Sequence, residues 1–543
     1  MDKPFAISLD PATSLADRTG AWRTERPVYT RRPAPCAHAC PAGEDPQTWL
    51  YRAEEGDYEG AWRAIMEVNP FPAVMGRVCY HPCETACNRA QLDEAVGINS
   101  VERFLGDEAI RKGWTIPRST RAGGRRVLVV GAGPSGLAAA YHLALLGHEV
   151  VLHDAGAEAG GMMRYGIPAY RLPRAVLDAE LERVLALGVT LRLDSRIDDL
   201  EATMRDEECS AAFVAVGAHL GKRAYIPAGS AARMLDAVAL LHGVAGGEPP
   251  LLGRRVAVYG GGNTALDAAR TARRLGADEA VVIYRRTRDR MPAHDSEVEE
   301  ALEEGVRMQW LSTVRHVDDG SLTVERMTLD ADGFPQPTGE LEELEADTLV
   351  LALGQECDLG LLERTPGVRI DDGLVHVGPN LMTGRPGIFA GGDSVPAERT
   401  VTMAIGHGRT AARHIDAWLR DGFGRVPEPA EPVSFEELNP WYYSDAPRTV
   451  RPKLEQVRRQ STFDEVVGGL DTSNALFEAR RCLSCGSCFA CDNCYGVCPD
   501  NAVVKLAPGG AYAYAIDLDH CKGCGICAQE CPSAAITMHP EVE

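Results

Sequence analysis

Two stretches of the sequence place glycines where a strand must turn sharply into a helix, and nothing else in the chain narrows the fold as much. The first, VLVVGAGPSGLAAAYHLALLGHEVVLHDA, carries Gly131, Gly133 and Gly136 in a G-x-G-x-x-G turn and closes its next strand on Asp154. The second, VAVYGGGNTALDAARTARRLGADEAVVIYRR, carries Gly260, Gly262 and Ala265 and closes on Arg285 and Arg286. In such a unit the first glycine makes the tight turn and the second lets a diphosphate reach the backbone. The third position, Gly or Ala, lets helix and strand pack closely. The diphosphate faces the helix N-terminus, where free N–H groups and the macrodipole favour negative charge. Further apolar runs at Ala212–Val216, Leu349–Leu353 and Ile388–Ala390 extend the alternation of strands and helices. That alternation predicts an α/β class with parallel, doubly wound sheets.

The strand ends distinguish the two sites. A carboxylate such as Asp154 suits the two hydroxyls of a ribose. In the second unit arginines stand where the acid would be; an acid there repels a 2′-phosphate, whereas a guanidinium binds it bidentately. NADP(H) is therefore expected on Gly260, Gly262, Asn263, Thr264, Ala265, Arg285 and Arg286, the alternative being two solvated loop arginines. Downstream, GIFAGGDSV puts Gly391, Gly392 and Asp393 straight after a short apolar strand. Paired with the first turn, this resembles flavoproteins with two dinucleotide-binding domains, in which such an aspartate contacts the ribityl chain. The resemblance implies FAD on Gly131, Gly133, Pro134, Ser135, Gly136 and Asp154, joined by Gly161, Met162, Arg164, Gly217, Gly392 and Asp393. Two nucleotide sites of different character imply hydride transfer between nicotinamide and flavin. No Ser/His/Asp set or H-E-x-x-H motif is present, and no catalytic side chain is assigned.

Of 17 cysteines, fifteen fall into two groups, one near each end of the chain. The opening MDKPFAISLDPATS lacks the basic-then-apolar layout of a secretory signal. Without export, clustered cysteines imply metal rather than disulfides. Cys521, Cys524, Cys527 and Cys531 match C-x2-C-x2-C-x3-C-P, and so do Cys488, Cys491, Cys494 and Cys498. This is the bacterial two-cluster ferredoxin pattern, whose fourth cysteine ligates the other cluster. Cys531 is thus expected with Cys488, Cys491 and Cys494, and Cys498 with Cys521, Cys524 and Cys527; zinc is the competing reading. Cys482 and Cys485 extend the first run backwards as spare thiols, alternative ligands or part of a further site. At the other end stand Cys36, Cys40, Cys79, Cys83 and Cys87, enough for one cluster and not two, again with a structural zinc as the alternative. Three intervening residues place neighbouring thiols one helical turn apart. Cys209 and Cys357 stand alone beside apolar segments and read as core residues.

The net charge of −22 argues against nucleic acid, which needs a basic footprint. It leaves solubility or docking of a basic partner as readings. No run approaches 18 apolar residues, so no membrane span and a cytoplasmic location are expected. The expected domains are a helical Fe–S domain (1–122) and an FAD domain (123–226 and 350–423) interrupted by an NADP domain (227–349). A Pro-rich linker arm (424–475) and a ferredoxin-like 2[4Fe-4S] domain (476–543) follow.

From about residue 30 to 420 the chain resembles the small, NADPH-oxidising subunit of bacterial glutamate synthase and its relatives. The resemblance is carried by NPFPAVMGRVCYHPCETAC, VVGAGPSGL, GGMMRYGIPAYRLP, YGGGNTALD, YRRTRDRMPA and IFAGGDS. It implies FAD in the first Rossmann domain, NADPH in a second inserted into it, and Fe–S near the flavin. The family often shows C-x2-C-x4-C-x3-C in its first cysteine run, of which only Cys36 and Cys40 remain here. Some relatives use Glu or Gln as a cluster ligand just downstream; the matching candidate is Glu102, with a surface or capping role as the alternative. The appended RCLSCGSCFACDNCYGVCPDNAV resembles electron-transfer subunits whose substrate chemistry lies in another chain. The resulting expectation is a subunit of a hetero-oligomer moving electrons between NADP(H) and a partner through FAD and [4Fe-4S] clusters. The partner would be a 2-oxoacid:ferredoxin oxidoreductase, a ferredoxin or similar. The alternatives are supply of an amidotransferase subunit, as in glutamate synthase, and electron bifurcation.

Overall fold

Proline and aspartate write the helix starts of the N-terminal region. In the computed structural model, which describes residues 18–222, 224–229, 232–420, 430–507 and 513–541, a short strand β1 (Glu25–Tyr29) follows a single 3-10 turn at Thr19–Trp22. The helices α1 (Pro35–Ala39) and α2 (Pro46–Glu54) open on proline, and α3 (Tyr58–Met66) on Asp57, whose carboxylate accepts the Gly60 N–H. α4 (Pro72–Val78) and α5 (Pro82–Thr85) open on proline again. Proline suits the first turn because its missing N–H would have had no partner there. α6 (Ile98–Lys112) stops at Gly113, whose φ of +66° suits glycine. Trp49, Leu50 and Ala53 of α2, Trp62 and Ile65 of α3, and Ile98, Val101 and Leu105 of α6 repeat at helical spacing and are fully buried.

Two parallel sheets follow. The first holds β2 (Arg126–Val130), β3 (Glu149–His153), β4 (Thr190–Arg192) and β5 (Ala211–Val214), with helix α7 (Pro134–Leu145) crossing from β2 to β3. The later strand Ile388–Ala390 pairs parallel with β5 at the edge. The second holds β6 (Met234–Asp236), β7 (Arg255–Tyr259), β8 (Glu279–Tyr284), β9 (Arg307–Trp310) and β10 (Thr348–Leu351), with α8 (Asn263–Arg274) crossing from β7 to β8. β10 lies between β7 and β6, so the second sheet runs through Leu351 and the expected boundary at 349/350 falls inside one of its central strands. The antiparallel strands Ser312–Val317, Ser321–Leu329 and Pro335–Glu345 form a separate ribbon. Helix α9 (Val401–Leu419), capped by Thr400, lies along α7.

Two expected boundaries differ from the packing. Helix α10 (Thr472–Arg480) packs on α2 and α6, so residues 476–480 belong with the N-terminal helices. Conversely, β1 pairs antiparallel with the last strand, β13 (Ile536–Pro540), beyond the hairpin of β11 (Val503–Lys505) and β12 (Tyr514–Ile516). The expected arm begins among residues outside the described set. From residue 430 it binds what it passes: Val433 N–H donates to the Pro33 carbonyl at 3.1 Å, and Val466 N–H to that of Tyr170 at 2.9 Å. Glu465 pairs with Arg77 at 2.7 Å. Among the described residues no helix is long and apolar enough to cross a membrane.

Candidate functional site

Both glycine turns open into one cleft of about 1210 Å³ between the sheets. Gly131 sits at φ +102°, and a Cβ there would come 2.3 Å from the Ala215 carbonyl oxygen; Gly260 repeats this at +150° and 2.2 Å from that of Ala352. Each first glycine is thus required by the crossing of its own sheet. Around Gly262 and Gly217 nothing lies within 4 Å of a built Cβ, so these positions open onto free space. Helices α7 and α8 begin at Gly133 and Gly262 without a side-chain cap, leaving their first N–H groups toward the cleft.

The FAD set is brought together on one wall. Gly131, Gly133, Pro134, Ser135, Asp154, Gly161, Met162, Gly217, Gly392 and Asp393 line the cleft. Gly133 and Gly161 meet so closely that a Cβ on Gly161 would stand 2.7 Å from the Gly133 Cα. Asp154 accepts the Ala132 N–H at 2.6 Å on one oxygen and the Gly156 N–H at 2.7 Å on the other. Its carboxylate therefore shapes the turn while keeping lone pairs for a ribose. The buried Ser135 Oγ has no hydrogen-bond partner among the described residues, a polar atom that a bound diphosphate would satisfy. Burial pushes the Asp393 carboxyl up, partly offset by Arg399. Two expected residues stand elsewhere. Gly136 packs against the Gly131 carbonyl, its role being helix–strand contact. Arg164 is held by Glu158 at 2.8 Å, by Asp178 and by the Ala159 carbonyl at 2.6 Å, and does not line the cleft.

The opposite wall carries Gly260, Gly262, Asn263, Thr264, Arg285 and Arg286, while Ala265 is buried beneath it. Among the described residues neither Arg285 nor Arg286 forms an ion pair, although most arginines here do, and the buried Arg286 Nε lacks a partner. An anion such as a 2′-phosphate fits this pair. Asn263 Nδ2 donates at 2.7 Å to the Tyr80 hydroxyl, whose ring stacks on His294 at 3.5 Å between centroids. The two walls are tied by Arg171, which pairs with Asp267 at 2.8 Å and with Glu297.

The cysteines form sets around the cleft and beyond it. Cys79 follows α4, next to Tyr80 in the cleft wall, and accepts the Thr402 hydroxyl at 3.3 Å. Thr402 belongs to α9, whose Val401 and Ala404 line the cleft. Burial, then the charge of Glu102, pushes the Cys79 thiol up to about 12. Cys83 is raised by burial and by the nearby Cys79, Glu84, Cys40 and Glu102. Glu102 is buried, accepts from Asn69 Nδ2 at 3.0 Å, and is pushed up by burial and neighbouring carboxylates, so the surface and capping readings both fail. In the C-terminal module Cys531 lies beside Cys488, Cys491 and Cys494, and Cys498 beside Cys521, Cys524 and Cys527. Amides donate to Cys498 at 3.2 Å and Cys531 at 3.3 Å, the second-sphere contact that steadies a thiolate ligand. No three His, Cys, Asp or Glu side chains among the described residues are grouped to grip a single metal ion. A cubane cluster, far larger than one ion, needs its ligands further apart. Cys209 and Cys357 pack half-buried on an apolar cluster, the latter 3.4 Å from the Asp393 carbonyl.

Sequence reasoning did not single out Tyr80, Thr402 and Arg171 as site residues. Their place depends on which elements meet, and no local spacing signals it.

Residues 125–408 match the model for pyridine nucleotide-disulphide oxidoreductases. The chain belongs to this family. Residues 16–114 match dihydropyrimidine dehydrogenase domain II with its 4Fe-4S cluster, and residues 514–537 a 4Fe-4S binding domain. The β subunit of an NADP(+)-dependent formate dehydrogenase from Moorella thermoacetica is 34% identical over 541 residues, covering 88% of this chain and 73% of its own. The β subunit of an NADPH-Fe(3+) oxidoreductase from Geobacter sulfurreducens is 34% identical over 83% of this chain and 75% of its own. A subunit of NAD-dependent dihydropyrimidine dehydrogenase from Escherichia coli is 31% identical over 71% and 91% respectively. This pyridine nucleotide-disulphide oxidoreductase is thus of the glutamate synthase small-subunit kind, with FAD, NADP(H) and [4Fe-4S] clusters as cofactors. It moves electrons between NADP(H) and a partner.

Proposed function

We propose that this chain is the NADP(H)-facing subunit of a larger oxidoreductase complex whose partner chain carries the substrate chemistry. The nucleotide binds on Gly260, Gly262, Asn263, Thr264, Arg285 and Arg286, and FAD on the Gly131–Gly136 turn with Asp154, Gly161, Gly217, Gly392 and Asp393. Bound FAD takes two electrons as hydride and releases them singly. The observation that carries the reading is the contact between Thr402 and Cys79, at 3.3 Å, because one helix is at once the cleft wall and the neighbour of a cluster ligand. Cys40, Cys79, Cys83 and Glu102 form that nearest set. Electrons pass between the flavin and the partner through the ferredoxin-like module, where Cys491 and Cys524 are exposed. The partner docks over this module, and a 2-oxoacid:ferredoxin oxidoreductase or another catalytic redox subunit has the fitting chemistry. The named relatives are likewise subunits β of a formate dehydrogenase and an Fe(3+) oxidoreductase.

Anaerobic purification from the native source tests this. The chain should co-purify with a redox subunit, and NADPH should bleach the flavin absorbance and then bring up the electron spin resonance of reduced clusters. A flavin left oxidised by NADPH, or clusters left oxidised beside a bleached flavin, would overturn it. An amidotransferase as the co-purifying partner would move the chain to the glutamate synthase role.

A further inference from the structure

Cys482 and Cys485 lie outside the cysteine sets described so far, and the fold carries them away from the module that follows them. After α10 the chain turns back, with Cys482 N–H donating to the Ala479 carbonyl at 3.2 Å, and enters the N-terminal helical region. Three separate contacts fix it there. Asn88 Nδ2, next to Cys87, donates to Cys485 Sγ at 3.5 Å, and Arg89 to the Arg481 carbonyl at 2.6 Å. Arg32 N–H, just ahead of α1 and its Cys36, donates to the Gly486 carbonyl at 3.0 Å. Gly486 has φ +74°, and a Cβ there would stand 2.5 Å from the Arg32 carbonyl oxygen, so the approach requires glycine. Cys36, Cys87, Cys482 and Cys485 all pack into one apolar core.

We propose that Cys36, Cys87, Cys482 and Cys485 hold a further [4Fe-4S] cluster, with two ligands supplied from each end of the chain. Ser484 N–H donates to Cys482 Sγ at 3.4 Å, repeating the amide-to-sulfur contact of His81 N–H with Cys79 and of the amides on Cys498 and Cys531. Cys482 and Cys485 are spaced C-x2-C, as in each ferredoxin run. Burial, then the charges of Cys482, Cys87 and Cys485, raises the Cys36 thiol, which places the four sulfurs within electrostatic reach of one another. Each of the fifteen clustered cysteines then has a place: four here, three with Glu102 and eight in the ferredoxin-like module.

The site also has a position. Cys36 and Cys40 sit on and just after the same short helix α1, so it adjoins the set beside the cleft. On its other side the Tyr443 hydroxyl donates to the Leu483 carbonyl at 2.8 Å. After burial, Cys482, Cys485, Cys491 and Cys531 are the charges that raise Tyr443, so this ring lies within electrostatic reach of both sulfur sets. The proposed cluster therefore fills the interval between the flavin side and the ferredoxin-like module, a step for one electron at a time in either direction.

The test is the iron count and 57Fe Mössbauer spectrum of the full chain, reconstituted anaerobically to saturation, beside a Cys482→Ser/Cys485→Ser double variant. At four iron atoms per cubane the wild type should hold about 16 Fe and the double variant about 12. FAD content and bleaching by NADPH should be unchanged in the variant. Cys36→Ser should remove the same spectral component. A double variant that keeps all the wild-type iron would overturn the proposal, as would stoichiometric zinc in the wild type. Should the variant lose its FAD and so fail to fold, the wild-type count decides: about 16 Fe supports the site, and about 12 or fewer overturns it.

Discussion

At the residue scale, the proposed reading places the cleft's selectivity on Arg285 and Arg286. A hydrogen bond to a charged group contributes about 1.5–3 kcal/mol. Replacing either arginine by alanine should weaken NADPH by about tenfold to a hundredfold and change NADH by less than about threefold. Titrations of flavin bleaching with each nucleotide check this; equal losses would mean the arginines do not read the 2′-phosphate. His142 is a different case. Its Nε2–H donates to the Val68 carbonyl at 2.9 Å, across the interface of α7 with the N-terminal helices, and burial pushes its pKa from 6.5 down to about 4. Below pH 6.5 the unfolded chain takes up a proton that the folded chain refuses until about pH 4. The stability this group contributes is thus present above 6.5 and lost as pH falls towards 4. Between pH 7 and 5 that amounts to about 2 kcal/mol. In His142→Gln the unfolding midpoint should fall less on acidification than in the wild type, and equal slopes would assign the acid sensitivity elsewhere.

At the scale of elements, α9 is the member that joins chemistry to chemistry. Its Gly408 meets α7 at Ser135, where a Cβ would stand 2.3 Å from the carbonyl oxygen, and a Cβ on its Gly406 would stand 2.1 Å from the carbonyl oxygen of Pro41, one residue past Cys40. A helix with larger residues at these positions would hold the cysteine loop away from the cleft. Gly406→Val should cost about 1–3 kcal/mol by overpacking. Its sharper consequence is kinetic: NADPH should still bleach the flavin, while reoxidation by the chain's clusters slows in rapid-mixing experiments. Unchanged reoxidation would show that this approach does not set the coupling. The glycines of both nucleotide turns were legible because strand, turn and helix are contiguous and each glycine answers a local steric demand. The glycines of α9 were not, because they answer contacts with residues hundreds of positions away.

At the scale of the whole molecule, the chain closes on itself. β1 pairs with β13 from Glu25 against Pro540 to Tyr29 against Ile536, and Gly20 N–H donates to the Asp519 carbonyl at 2.9 Å. The C-terminal module is small, with an apolar core of few residues, and borrows an edge from the N-terminal segment. A chain starting at Arg31 should keep FAD and nucleotide binding while losing iron from the C-terminal module faster on exposure to chelator. Equal rates of loss would show that the module is stable without β1. The arm from residue 430 to α10 works in the same direction, since Lys453 and Arg459 hold Glu303 at 3.2 and 2.8 Å while Glu465 holds Arg77.

What the sequence determined by itself were the features governed by near neighbours along the chain. These are the two nucleotide turns, the acid and the arginines at their strand ends, the doubled ferredoxin spacing and the hydrophobic periods of the N-terminal helices. Each is a constraint within a few turns or strands, where residue type and spacing suffice. The tertiary structure decided which elements meet: that β10 belongs to the second sheet, that Glu102 is buried facing Cys79 and Cys83, and that Cys482 and Cys485 come to rest beside Cys36 and Cys87. Those placements depend on the burial of distant apolar faces against one another, which spacing along the chain does not encode.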